Sequence, residues 1–242
     1  MLDFTGKTVL VIGGSSGIGN GIARSFLEQG ADVHVWGTRA HASDYAPDEG
    51  SDLSGMHYSQ VDVSDNTAIA QWPAPFARLD VLVLSQGTVL YRRAEFEMEG
   101  FAHVLQVNLV SLMACAMRFH PMLRESGGSL VIVSSTAAFH ATVGNPAYNA
   151  SKTGALGLTR SLAQAWAGDG IRVNGIAPGF VATKLTKVTT DHPDRARAAT
   201  ARIPLGRFGT PAEMGGAALF LASPLASYVT GHTIPVEGGL LL

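Results

Sequence analysis

One cysteine in 242 residues, Cys115, leaves no intrachain disulfide to staple the fold. It sits in the apolar segment 109–117 with no base at a nucleophile's spacing, so a buried structural thiol is expected. A basic excess is missing too. Lys and Arg number 17 against 19 Asp and Glu, giving a formal charge of −2 without a basic stripe, which argues against a nucleic-acid partner. No unbroken apolar run approaches the roughly 18 residues of a membrane span. Charged Asp3 and Lys7 stand where a signal peptide would be apolar, so no membrane partner and a cytoplasmic location are expected. The eight histidines show no pair at metal-ligand spacing with a carboxylate partner, which predicts no metal site. With no linker, internal repeat or low-complexity tract, one domain is expected over residues 1–242.

What the chain does have is glycine, 28 of them without a G-X-Y period, as many tight turns require. Short β-branched apolar runs recur at 8–12, 32–36, 57–61, 81–85, 130–134, 172–177 and 232–236. Between them lie segments with helical spacing, starting near Ile18, Asp65, Phe101, Tyr148 and Pro211, the last a proline suited to a first helical position after Thr210. Apolar strands alternating with helices predict an α/β fold: a doubly wound parallel sheet (Rossmann fold) of about seven strands with helices on both faces. Two polar stretches break the rhythm, a loop over 37–55 and the segment 180–207, which is expected to form a lid over a substrate.

Directly after the first run comes Gly13-Gly14-Ser15-Ser16-Gly17-Ile18-Gly19, opening a helix. Such a turn lets the backbone approach a pyrophosphate while the first helical N–H groups and the helix dipole face its charge. The spacing G-x-x-x-G-x-G is neither G-x-G-x-x-G nor a Walker A loop, so tight helix-on-strand packing is the alternative use of these glycines.

Further along, Ser134-Ser135 ends the fifth run, and Tyr148 and Lys152 follow, four apart on one helix face. A phenol titrates near 10, and a neighbouring ammonium lowers that value by favouring the phenolate. With a serine hydroxyl on the carbonyl oxygen, the tyrosine can donate a proton as hydride arrives and take it back in oxidation. A Y-x-x-x-K pair alone is weak, because an exposed helix face produces it by chance. Thirteen residues after a strand-end serine and downstream of a glycine turn, it is specific.

Taken together these residues resemble the short-chain dehydrogenase/reductase family along essentially the whole chain. The resemblance implies that Gly13, Ser15, Ser16, Gly17, Ile18 and Gly19 form the cofactor turn and that Asp62-Val63 contacts adenine. It implies a catalytic set of Asn108, Ser135, Tyr148 and Lys152, in which Asn108 helps hold a water in a proton relay and Lys152 also binds the nicotinamide ribose. Pro178, Gly179, Val181 and Thr183 match the segment at the nicotinamide carboxamide, and Gly238-Gly239 closes the chain as in many members. Some positions depart from the pattern. Ile12 replaces a usual threonine, Glu237 a usual aspartate, and Leu84-Ser85-Gln86-Gly87 the usual Asn-Asn-Ala-Gly, so the wall there must be built differently, with Gly87 still expected beside the cofactor.

At the end of the second run, where an acidic residue would bind the adenosine ribose, stands Gly37, followed by Thr38 and Arg39. A hydroxyl and a guanidinium suit a 2′-phosphate, so NADP is the expected cofactor and NAD the alternative, Ser16 lying where many NADP-using relatives carry a basic residue. The expected activity is hydride transfer between nicotinamide and a ketone or secondary alcohol. The alternatives are 3-oxoacyl-[acyl-carrier-protein] reductase, which Arg92 and Arg93 could serve by guiding an anionic carrier, and a non-catalytic dinucleotide-binding regulator. His140 lies on a loop expected to border the substrate pocket, Phe180 and Leu185 are expected to give the lid an apolar face, and the resemblance implies a homodimer or homotetramer.

Overall fold

The seven apolar runs become seven strands of one parallel sheet in a computed structural model that describes residues 2–46 and 50–242. They are β1 (Thr8–Ile12), β2 (Asp32–Gly37), β3 (His57–Gln60), β4 (Val81–Leu84), β5 (Ser129–Val133), β6 (Arg172–Pro178) and β7 (Thr233–Val236). Their order across the sheet is β3-β2-β1-β4-β5-β6-β7. Expected and observed bounds differ by one residue at most at either end. Strand order reverses between β1 and β4, and the crevice beyond the carboxyl ends of such strands is where doubly wound sheets bind ligands.

The helices in chain order are α1 (Gly17–Glu28), α2 (Asn66–Gln71), α3 (Met98–Leu105), α4 (Ser111–Ser126), α5 (Pro146–Trp166), α6 (Lys187–Thr190), α7 (Pro193–Thr200) and α8 (Pro211–Ala222). Side chains alternate across the sheet, so β1 sends Leu10 and Ile12 to one face and Val9 and Val11 to the other. The first face packs on α2, α4 and α5 through Ile69, Leu112, Phe119 and Leu162. The second packs on α1 and α8 through Ile22, Phe26, Met214 and Ala218. Helix α8 starts as its sequence predicts, with Pro211 in the first turn and a capping box in which Thr210 and Glu213 each accept the other's backbone N–H.

Three features go beyond the sequence reading. A π-turn over Gln106–Val110 joins α3 to α4, and the path Met98–Ser126 is long and apolar enough to cross a membrane by length and composition alone. An unbroken apolar run was the wrong signal for it, since Gln106, Asn108, Arg118 and His120 interrupt the path. Its inward face, Leu112, Cys115, Ala116 and Phe119, is buried on the sheet. The segment 180–207 adds no strand to the sheet but folds into α6 and α7. Finally, the premise that no histidines meet a carboxylate fails in three dimensions, because register pairs His34 with His57 beside Asp32.

Candidate active site

Close backbone approach shapes the turn after β1. Gly13 has φ of +76°, and a Cβ there would lie 2.8 Å from the backbone of Gln86 after β4. A Cβ on Gly19 would lie 2.1 Å from the Gly13 carbonyl oxygen, so only glycine lets α1 start this near the strand. Buried Asn20, which the sequence did not single out, braces the turn by donating Nδ2 to the carbonyls of Gly14 (3.2 Å) and Asp52 (2.9 Å).

Beyond the carboxyl ends of β1 and β4 opens a cleft of about 760 Å³. Its lining brings together the predicted Gly13, Ser15, Ser16, Gly17, Ile18, Gly19, Thr38, Asp62, Val63, Gly87, Ser135, Tyr148, Lys152, Pro178, Gly179, Val181 and Thr183. Leu185 lines it as expected. Phe180 does not: it packs towards Phe208, ring centroids 6.2 Å apart, over a separate small hollow. His140 is exposed, with Nδ1 3.0 Å from the Ala141 carbonyl, and lies outside the lining. Arg93 stacks over Phe96 on the surface at 4.4 Å, so the Arg92–Arg93 pair sits beside the cleft rather than in it.

Ser135 follows β5, its Oγ accepts from the Ala137 N–H at 3.1 Å, and its hydroxyl favours the phenolate of Tyr148. One helical turn after Tyr148, Lys152 is buried, its Nζ donating to the Val133 carbonyl at 3.0 Å. Burial pulls this ammonium down to about 8. The expected lowering of the phenol by Lys152 is not what the structure gives: burial pushes Tyr148 above its ordinary value, and only the Ser135 hydrogen bond opposes it. The reason is placement, because Nζ is 5.7 Å from the Tyr148 ring centroid and is committed to a carbonyl.

Asn108 stands in the π-turn behind this group rather than in the cleft lining. Its Oδ1 accepts from the Thr88 N–H at 2.7 Å, and its Nδ2 donates to the Thr88 carbonyl at 2.8 Å and to Ser151 Oγ at 3.2 Å. It thereby fixes the loop following β4 against α5. The departure at residues 84–87 finds its explanation nearby. Gln86 is buried, donates Nε2 to Ser111 Oγ at 3.0 Å and presents its backbone to Gly13, so the wall is built on α4 instead of on asparagine side chains.

Besides Asn20, two residues at this site are not singled out by the sequence. Glu95 is fully buried, and its carboxyl group accepts from the N–H groups of Leu90 (3.0 Å) and Tyr148 (2.8 Å) and from Asn145 Nδ2 (3.3 Å). It supplies the cap that Asn145 itself does not make at the start of α5, holding the backbone of Tyr148. Glu95→Ala is expected to lower stability by about 2 kcal/mol or more, since each orphaned buried donor costs about 1–3 kcal/mol. Equilibrium unfolding in urea measures it, and an unchanged midpoint would mean that water replaces the carboxyl group. The second is Tyr91, a cleft residue whose hydroxyl donates to the Leu185 carbonyl at 2.7 Å and ties the 180–207 segment across the opening. Its only sequence signal was a polar aromatic in a loop after a strand.

At the end of β2, Thr38 lines the cleft and Arg39 does not. Arg39 stacks over Tyr45 at 4.6 Å and donates to the Asp44 carbonyl. The Tyr45 hydroxyl accepts the backbone N–H groups of Thr38 (3.0 Å) and Arg39 (3.1 Å). A Cβ on Gly37 would lie 2.4 Å from that hydroxyl and 2.6 Å from Ser15 Oγ, so an acidic side chain has no room there unless Tyr45 moves.

Comparison with known proteins agrees along the whole length. Residues 12–241 match the family model described as Enoyl-(Acyl carrier protein) reductase. The chain is 37% identical over 245 residues to 3-oxoacyl-[acyl-carrier-protein] reductase of Chlamydia muridarum, covering 97% of both chains. It is 38% identical over 243 residues to 2-dehydro-3-deoxy-D-gluconate 5-dehydrogenase of Bacillus subtilis, covering 98% of this chain and 95% of that one. Among solved structures it is similar to the Pseudomonas aeruginosa RhlG/NADP active-site complex, with a TM-score of 0.89 and 32% identity over all of this chain and 98% of that one.

Proposed function

The chain belongs to the short-chain dehydrogenase/reductase family, and from that premise we propose that it is an NADP(H)-dependent oxidoreductase interconverting a ketone and a secondary alcohol at Tyr148. The observation carrying this reading is the placement of the Tyr148 hydroxyl against Ser135, with the Lys152 ammonium buried behind, in the one cleft that the glycine turn also lines. When bound, the nicotinamide supplies or accepts the hydride.

The chain's own residues do the rest. Ser135 holds the carbonyl oxygen and Tyr148, kept protonated by its burial, donates the proton to that oxygen. Lys152 binds the ribose beside it. Asn108 positions α5 and the loop after β4, and it holds water for the relay. The turn from Gly13 to Gly19 would hold the pyrophosphate on its N–H groups, Asp62 and Val63 would hold the adenine, and Pro178, Gly179, Val181 and Thr183 would hold the carboxamide. Segment 180–207 is the lid, latched by Tyr91.

For the cofactor, Gly37 offers no carboxylate and no space for one unless Tyr45 moves, while the Ser15 and Thr38 hydroxyl side chains line the cleft at its end of β2 and the Arg39 guanidinium, stacked on Tyr45 outside the lining, has to turn towards the cleft to join them. These fit a 2′-phosphate, and the solved relative from Pseudomonas aeruginosa carries NADP. Titration of the protein with NADPH, NADH, 2′,5′-ADP and 5′-AMP tests this. The phosphate-bearing member of each pair should bind about tenfold or more tightly, and Arg39→Ala should erase most of that margin, a charge-assisted bond contributing about 1.5–3 kcal/mol. Equal affinities in the wild type would overturn the choice.

On the substrate, the Chlamydia relative favours a 3-oxoacyl thioester and the Bacillus relative a keto sugar acid. Turnover of a panel containing both classes and plain ketones separates them, and no turnover of any member with either cofactor would favour a regulatory subunit. The exposed stripe Val110, Met113 and Met117 on the joined α3–α4 helix supports a homodimer or homotetramer built on this face and α5. Sedimentation velocity decides that point, a monomer removing the reading. The cytoplasm, where Cys115 stays a free thiol and reduced cofactor is at hand, is the compartment that suits this activity.

A further inference from the structure

The amino end of β2 lies roughly 16 Å from its cleft end, at about 3.3 Å per residue. There Asp32 and His34, two apart, point to the same face, and register places His57 of edge strand β3 directly beside His34. The two imidazoles stack with centroids 4.5 Å apart and planes 21° apart. Both turn Nε2 to one carboxyl group: His57 Nε2 lies 3.0 Å from Asp32 Oδ1, and His34 Nε2 lies 3.4 Å from Asp32 Oδ2. One ligand atom from each of the three residues falls within 4.8 Å of the others.

These spacings have a chemical meaning. Ligands about 2.0–2.1 Å from a tetrahedral ion stand about 3.3–3.4 Å apart, and the 3.0 and 3.4 Å separations from Asp32 come within a few tenths of an ångström of that spacing, each histidine facing its own carboxylate oxygen. Only the remaining edge of the triangle has to close. His34 is nearly fully buried, with the Phe76 ring 4.8 Å away, which fixes its orientation. Asp32 and His57 are exposed and leave the outer coordination positions to water.

We propose that Asp32, His34 and His57 form a binding site for a divalent transition-metal ion of the zinc, cobalt and nickel class, clipping edge strand β3 to β2. Two imidazoles with one carboxylate select these borderline ions over magnesium and calcium, which prefer oxygen ligands. The site stands apart from the cleft and does not depend on the oxidoreductase reading, so its role is structural.

Untagged protein, freed of metal by chelator and dialysis, is titrated with cobalt(II) and with zinc(II). The expected result is one equivalent bound with a Kd of micromolar order or tighter, a visible cobalt band of low-coordinate type, and a Tm rise of roughly 5 °C at hundredfold excess over Kd. His57→Ala and Asp32→Asn alter exposed positions that the fold tolerates, and each should weaken binding about tenfold or more. His120→Ala, which breaks another close histidine–carboxylate pair (2.8 Å to Asp169), should leave it unchanged. Absence of stoichiometric binding in the wild type, or binding that survives in both site variants, would overturn the proposal.

Discussion

Tyr148→Phe is expected to lose about 10²-fold or more in kcat for ketone reduction while folding and binding NADPH as the wild type does. The ring stays, so the packing of α5 against Gly87 and Asn108 is undisturbed, and only the hydroxyl next to Ser135 disappears. General acid–base catalysis is typically worth about 10² to 10⁴ in rate, and among the described residues the donor to Ser135 Oγ is the Ala137 backbone N–H, which cannot replace the lost proton. Single-turnover reduction with cofactor affinity measured alongside separates chemistry from binding. Retention of more than about a tenth of kcat would remove Tyr148 from the acid/base role.

Lys152→Met is expected to weaken NADPH binding about tenfold to a hundredfold, as the loss of one or more hydrogen bonds from a charged donor implies. Its second signature is in stability against pH. In the folded chain this ammonium titrates at about 8 because it is buried, and in the unfolded chain near 10.4. Between those values the unfolded state holds the proton and the folded state does not, so wild-type stability rises with pH across that window. Below about 8 both states are protonated and the desolvation penalty is present in full. The Tm of Lys152→Met minus that of the wild type should therefore fall steadily from pH 8 towards pH 10. A difference independent of pH, with cofactor Kd unchanged, would make Lys152 an ordinary packed side chain.

The strands and the glycine turn were legible because their signals are local. A run such as residues 8–12 is apolar on both sides only if both faces are covered, and the turn Gly13–Gly19 follows it without a break. Tyr148 and Lys152 were readable for the same reason, four residues apart on one helix. Glu95 was not, since its acceptor role depends on Asn145 and Tyr148 some fifty residues later. Asp32, His34 and His57 are not legible as a group because spacing along the chain does not show it, whereas the partner of His34 is set by the register of β3. The direction of the Tyr148 shift is not legible because spacing gives proximity to Lys152 but not the depth at which both lie. Segment 180–207 gave no period long enough to reveal α6 and α7, which are four and eight residues long.

Glu95 also has a bearing on how such enzymes can be recombined. Its carboxyl group joins the loop after β4, the turn before α5 and the backbone of Tyr148, so residues 90–95 and 145–148 form one inheritable unit although half a hundred residues separate them. A chimaera with its crossover between those segments inherits a buried acceptor from one parent and its donors from the other. Unless both parents carry the same pair, the joined protein starts α5 without its cap and offers substrate a displaced hydroxyl. Crossovers placed before residue 88 or after residue 152 keep the unit whole, and libraries built that way should retain a larger share of active members than those cut between them.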